Sequence, residues 1–290
     1  MIATARPLPA LSTLLRLGRI SNLPTVWTNV IAGLVIAGSV RLDQFAPIAL
    51  AMTAFYVGGM YLNDFFDRVV DARERPGRPI DAGKISASAV CGIGFGLLAT
   101  GVVLMTSFGL AAAACGMLLA ATIVLYDIWH KGNALSPLVM GLCRALVCIG
   151  TCIAVTGGIS NAVLIGAFAL ASHVAGLTYA AKQENLNKIG NLWPLLMLAV
   201  PFLVALPAVT AGPVAASLVL LLAADGAAIG LLVRKLVPGA VPRAVSGLIA
   251  AICLVDAVAV GWAGGSISLV ALCAVGYPLT RLFQKIIPGT

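Results

Sequence analysis

The stretch Phe45-Ala-Pro-Ile-Ala-Leu-Ala-Met-Thr-Ala-Phe-Tyr-Val-Gly-Gly-Met-Tyr-Leu62 carries no charge and runs directly into Asn63-Asp-Phe-Phe-Asp-Arg-Val-Val-Asp71. At about 1.5 Å of rise per residue, a helix over such a run approaches the roughly 30 Å hydrocarbon core of a bilayer. One run of this kind is ambiguous, because a buried core helix reads the same way. Repetition decides. Apolar blocks of similar length recur at 23–40, 87–106, 108–127, 134–157, 161–180, 192–211, 213–233, 244–263 and 266–286, making ten with 45–62.

Composition agrees. The 290 residues are 61% hydrophobic and 10% charged, with a mean hydropathy of +1.06. Soluble domains carry about 25% charged residues, so a soluble enzyme, a disordered chain and a disulfide scaffold are all excluded. The seven cysteines (91, 115, 143, 148, 152, 253 and 273) lie inside the apolar blocks, are odd in number and show no metal-binding spacing. They read as small packing residues. The expected architecture is all-α: a polytopic transmembrane bundle over 1–290, with one domain and active-site loops at 63–86 and 181–191. Residues 1–22 read as a cytoplasmic lead-in, because Pro7, Pro9, Arg16 and Arg19 interrupt any signal-peptide core.

The net charge of +8 resembles a nucleic-acid signal until the basic residues are placed between the blocks. Sixteen of the eighteen then fall on one side, Arg41 stands alone on the other, and Arg144 lies within a block. Such a bias orients a membrane protein with its basic loops in the cytoplasm. Both termini are expected there, in the inner or plasma membrane of a bacterium, with no nucleic-acid partner.

Asp64, Asp67 and Asp71 fall at i, i+3 and i+7, within about 60° of one another on a helix. Asn63 adds an oxygen at the edge of that stripe. Adjacent carboxylates at a membrane boundary repel one another, and a hard divalent cation such as Mg²⁺ relieves this with oxygen ligands, waters and substrate phosphate. Arg68, Arg73, Arg75, Arg78 and Lys84 follow immediately. Carboxylates beside guanidinium groups suit a diphosphate leaving group. On spacing alone a second reading stands, in which the aspartates merely pair with those arginines.

The run Asn63-Asp64-x-x-Asp67-x-x-x-Asp71, with Arg75-Pro-Gly-Arg78-Pro79 and Gly83-Lys-Ile-Ser86 after it, resembles the first aspartate-rich motif of the UbiA superfamily of intramembrane prenyltransferases. Arg19-Ile-Ser-Asn22-Leu-Pro24 is similar to that family's first-helix signature. The resemblance implies nine spans, here with an extra C-terminal helix. It also implies Mg²⁺, a polyprenyl diphosphate as donor, a hydrophobic, usually aromatic acceptor, and an active site facing the cytoplasm.

The family's second acidic motif corresponds to Lys182-Gln-Glu-Asn-Leu-Asn187, where Glu184 is the lone acid. Its Lys-Gln-Glu form is similar to a branch encoded in Ebo-type biosynthetic gene clusters. Asp64, Asp67, Asp71 and Glu184 are therefore the expected catalytic and metal-binding set. Asn22, Asn63, Arg68, Arg78, Tyr126, Lys131, Arg144, Lys182 and Asn187 are the expected substrate contacts. Tyr126 and Lys131 enter through the family's Tyr and Lys after the fourth span, and Lys182 is expected to replace part of a second metal's charge.

Arg144, Asp225 and Asp256 lie within blocks, where a charge costs about 2.5–3.5 kcal/mol on insertion scales, so they should face the bundle. Arg144 either reaches the substrates or pairs with Asp225 or Asp256. His130 reads as a solvated loop residue and His173 as a buried hydrogen-bonding one. Gly58, Gly59, Gly92, Gly94 and Gly96 read as close helix packing. The degenerate second motif keeps a different reading open: an altered protein that binds or transports a prenyl lipid.

Overall fold

The computed structural model describes residues 10–39, 41–74, 77–182, 193–209, 212–233 and 239–289. All regular structure among them is helical. The elements are α1 (Leu11–Leu17), α2 (Leu23–Ile36), α3 (Leu42–Glu74), α4 (Ala87–Thr106), α5 (Leu110–Trp129), α6 (Ser136–Thr156), α7 (Asn161–Lys182), α8 (Val200–Ala205), α9 (Gly212–Val233), α10 (Ala240–Trp262) and α11 (Ile267–Phe283). A 3₁₀ turn at Ile20–Asn22 precedes α2, and α8 sits within a shorter apolar segment, Trp193–Ala208. Among the described residues, seven helices are long and apolar enough to cross a membrane. With the three shorter apolar segments Ile20–Ile36, Trp193–Ala208 and Ile267–Phe283, they fall on the ten expected blocks.

One boundary differs in a way that matters. Residues 63–74, expected to open a loop, continue α3 to Glu74. No Gly or Pro interrupts that stretch, and Leu62, Phe65 and Phe66 still pack inward. The loop closes where Ser86 caps α4, its Oγ accepting from the Ala89 amide at 3.2 Å. The lead-in is likewise partly helical, through α1.

The bundle is organised around α2, which packs against α3, α6, α7, α10 and α11. Ten of its fourteen residues are buried, Thr25, Thr28 and Asn29 among them. Polar groups so deep need partners. Thr28 Oγ1 donates to Asp256 Oδ2 at 2.6 Å and Asn29 Nδ2 to Asp256 Oδ1 at 3.3 Å, which ties α2 to α10. On the other flank, fully buried His173 lies 3.1 Å from the Leu248 carbonyl and 3.7 Å from Asp225, joining α7, α10 and α9. The expected hydrogen-bonding role of His173 is what the structure shows.

Close approach of α3 to α4 depends on two glycines. A Cβ on Gly58 would stand 2.9 Å from the Gly94 carbonyl oxygen, and one on Gly94 would stand 2.7 Å from Leu62 Cγ. Gly59 faces α5, where a Cβ would stand 2.9 Å from Ile123 Cγ2. Gly92 and Gly96 have nothing within 4 Å, so they lie on the open face of α4 and are not packing residues as expected. The two largest apolar cores among the described residues lie one around α7, α9 and α10 and one around α2 to α6. Between them, at one end, the C-termini of α3, α5 and α7 meet the start of α2.

Candidate functional site

The last turns of α3 hold Asp64, Asp67 and Asp71 on one stripe, and all three are buried. Each carboxylate has a cation. Arg78, from the loop before α4, places Nη1 2.6 Å from Asp64 Oδ1 and 3.3 Å from Asp71 Oδ2. Arg19 reaches Asp64 Oδ1 at 3.2 Å and donates to Asn63 Oδ1 at 3.1 Å. Burial works against the Arg19 charge, but Asp64, with smaller contributions from Tyr56 and Tyr126, holds the guanidinium's pKa above its ordinary value. Among the described residues Arg19 is the one non-glycine with positive φ, at 42°. That left-handed backbone costs about 1–3 kcal/mol, and the ion pair, with the Tyr56 hydroxyl donating to the Arg19 carbonyl at 3.3 Å, holds it.

Asp67 faces the end of α5. His130 Nε2 and Lys131 Nζ each lie 3.3 Å from its Oδ2. The His130 ring stacks on Tyr126 with centroids 4.9 Å apart, and its side chain is only 12% exposed. His130 is thus part of the site and not the solvated loop residue expected from its neighbours; the single helical turn separating it from Tyr126 brings it inward. Lys182 is committed to the same loop, with Nζ donating to the Asn133 carbonyl and, at 2.9 Å, to Ser136 Oγ.

These side chains surround a cavity of about 350 Å³. Of the expected residues it brings together Asn22, Asn63, Asp67, Asp71, Arg78, Tyr126, Lys131, Arg144 and Lys182. Asp64 is absent from that wall and lines a smaller recess with Arg68 and Arg78. Arg68 does not face the cavity: it is exposed, lies over the Phe65 ring at 4.4 Å and donates to the Phe65 carbonyl at 2.7 Å. One residue beyond Asp67, it is turned about 100° away from the stripe. Glu184 and Asn187 lie outside the described residues.

Arg144 donates to Thr25 Oγ1 at 3.1 Å and lies over the Tyr56 ring at 5.5 Å. Thr28 and Asn29 answer Asp256, and His173 faces Asp225. Arg144 lines the cavity and, among the described residues, forms no ion pair with Asp225 or Asp256. Asn22 binds the C-terminal segment, with Nδ2 donating to the Gly289 carbonyl at 3.0 Å and Oδ1 accepting from Gln284 at 3.1 Å.

Three contributors were not singled out from sequence. Arg19 reads from sequence as a topology signal and as the first residue of the Arg-Ile-Ser-Asn stretch, not as a site residue. Tyr56 sits in a featureless apolar run. Asp127 ends the fourth apolar block, and the detectable signal was its position one residue after Tyr126 and four before Lys131. It is 4% exposed and accepts at Oδ1 from Asn63 Nδ2 at 3.2 Å.

Among the described residues, no three His, Cys, Asp or Glu side chains converge tightly enough to hold a metal ion alone. Mg²⁺ does not need three: it is commonly held by one or two carboxylates plus water and substrate phosphate. Asp67 and Asp71 both line the cavity with hard oxygens, and Asp71 Oδ2 is buried and, among the described residues, has no hydrogen bond beyond its 3.3 Å ion pair with Arg78. That donor set fits such an ion.

The apolar bundle and the ion-lined cavity at one end define a polytopic integral membrane protein with a charged site set against an apolar interior. The chain belongs to the UbiA prenyltransferase family, whose profile matches residues 23–237. Digeranylgeranylglyceryl phosphate synthase of Methanopyrus kandleri is 35% identical over 127 residues, which is 43% of this chain and 46% of that protein. The chain spans less than half the length of the curated relatives it matches. A solved digeranylgeranylglyceryl phosphate synthase superposes with a TM-score of 0.60 over 89% of this chain and 99% of its own, at 18% identity. A UbiA homologue of Archaeoglobus fulgidus bound to DMAPP and Mg²⁺ gives 0.55 over 95% and 100%, at 12% identity. At these identities the likeness is one of fold.

Proposed function

We propose that the protein is a Mg²⁺-dependent prenyltransferase that moves a prenyl group from an allylic polyprenyl diphosphate to a hydrophobic, aromatic acceptor within the membrane. The observation that carries this reading is a single cavity with two kinds of wall. Asp67, Asp71, Arg78 and Lys131 form one, and Val174, Leu177, Val245, Ile249 and Ile252 form the other. An amphipathic ligand with a diphosphate head and a hydrocarbon tail matches both.

Bound Mg²⁺ would be held by Asp67 and Asp71 and would supply charge neutralisation at the diphosphate. Arg19, Arg78 and Lys131 donate to phosphate oxygens once the ligand draws them from the carboxylates they now pair with. Asp64 keeps Arg19 and Arg78 within reach of the head group. Glu184 is the acid of the second motif. Leu177 and Ile252 face the chain and keep water from the allylic carbon. The basic-residue bias supports a site facing the cytoplasm of a bacterial inner or plasma membrane.

Membranes containing the protein should release diphosphate from geranyl diphosphate when Mg²⁺ and an aromatic acceptor are present, and Asp64→Ala and Asp67→Ala should abolish this. Full activity in both variants overturns the site assignment. Binding without any release, across a panel of acceptors, overturns the enzymatic reading in favour of a lipid-binding protein.

A further inference from the structure

A second cavity, of about 80 Å³, adjoins the first, and Tyr56, Met60, Tyr126, Met140 and Arg144 belong to both linings. It lies between α2, α3, α5 and α6, and its inner wall is hydrocarbon, including Val26, Phe55, Leu119, Ile123 and Val147. Asp127 is the one carboxylate of the lining, which also holds Tyr56, Tyr126, Cys143 and Arg144. Asp127 is 4% exposed, and while Oδ1 accepts from Asn63, Oδ2 is buried with no hydrogen-bond partner among the described residues.

A buried oxygen of this kind discriminates between occupants, because leaving it unpaired carries the full desolvation penalty. A prenyl tail has no hydrogen to donate, so a tail in this cavity would seal Oδ2 against hydrocarbon. A molecule bearing O–H or N–H would pair it. The tail has another surface, along Val174 and Leu177 of α7 and Val245 and Ile252 of α10. Size points the same way. The space is several times the roughly 10–15 Å³ that one water needs, which suits a compact ring and not a polyprenyl chain.

We infer that the Asp127 cavity is the acceptor site, and that the acceptor is a compact, mostly apolar molecule whose hydroxyl or N–H donates to Asp127 Oδ2. This rests on the prenyltransferase reading and narrows its substrate class. The hydrogen bonds from Arg19 to Asn63 and from Asn63 to Asp127 join the two sites, so the acceptor's polar group is placed relative to the aspartate stripe by a continuous chain of partners.

The test uses the purified full chain in nanodiscs, with 1-naphthol and its methyl ether, 1-methoxynaphthalene, as matched probes. Binding of radiolabelled geranyl diphosphate with Mg²⁺ is measured first, and its absence refutes the prenyltransferase reading independently. On protein loaded with Mg²⁺ and the unreactive geranyl S-thiolodiphosphate, equilibrium dialysis should show 1-naphthol bound roughly 10- to 100-fold more tightly than the ether. Asp127→Leu should erase that preference. Asp127→Asn has one oxygen, which Asn63 already occupies, and turns its NH2 to the cavity, so it too should lose the preference. Equal or absent binding of the two probes by the unmodified protein overturns the inference, as does a preference that survives Asp127→Leu. The first of these comparisons needs no variant to fold.

Discussion

Arg78 and Asp64 make the shortest ion pair of the site, 2.6 Å between Nη1 and Oδ1, and the same guanidinium nitrogen lies 3.3 Å from Asp71. One cation from the loop before α4 thus bridges carboxylates two helical turns apart. Arg78→Ala should raise KM for geranyl diphosphate at least about tenfold, because a charge-assisted phosphate contact is lost and two like charges face each other. Arg78→Lys should recover only part of this, since an ammonium lacks the planar fork. Steady-state kinetics on the three proteins checks the order.

The left-handed backbone at Arg19 separates conformational cost from charge. Arg19→Ala and Arg19→Gly both lose the ion pair to Asp64, and both should lose activity. Glycine tolerates positive φ, so the Gly variant should be more stable than the Ala variant by about 1 kcal/mol. Reversible unfolding of the two in mixed micelles measures the difference; equal stability contradicts the strain argument.

Helix packing gives a prediction independent of catalysis. Gly94→Val places branched carbons where Leu62 already sits and should destabilise the bundle by roughly 1–3 kcal/mol. Gly92→Ala and Gly96→Ala meet open space and should be neutral within about 0.5 kcal/mol. The same unfolding assay ranks all three.

Asn63 is the hinge between the two halves of the site, accepting from Arg19 and donating to Asp127. Asn63→Ala leaves both Asp127 oxygens without a protein partner and should cost about 1–3 kcal/mol. Asn63→Asp should be worse, because it sets a carboxylate against Asp127. Unfolding midpoints with the order native, Ala, Asp would bear this out.

Much of this was legible in the sequence, for reasons that differ by residue. The spans could be read because each carries enough consecutive apolar residues to declare itself, and the stripe Asp64, Asp67, Asp71 because helical periodicity is local. What escaped depends on distance or on backbone conformation. Asn63 and Asp127 are 64 residues apart, so nothing nearby says that an aspartate at the end of an apolar block has a partner. Arg19 turns inward through one left-handed residue, which no spacing rule specifies. Arg68 misled because basic residues after an acidic motif look equivalent, whereas one step along a helix changes the face. Lys182 has the expected charge, but the loop carbonyls that hold it belong to another connection. Gly92 and Gly96 share a block with Gly94, and only the position of α3 shows which of them packs.

The most direct measurement is equilibrium binding of radiolabelled geranyl diphosphate to the purified protein, with Mg²⁺ or with excess chelator, for the native chain and for Asp67→Asn/Asp71→Asn. Binding by the native chain that needs Mg²⁺, and that falls at least about tenfold in the double variant, is the expected result. Equal binding with chelator, or in the double variant, would contradict a metal-dependent diphosphate site on the α3 stripe.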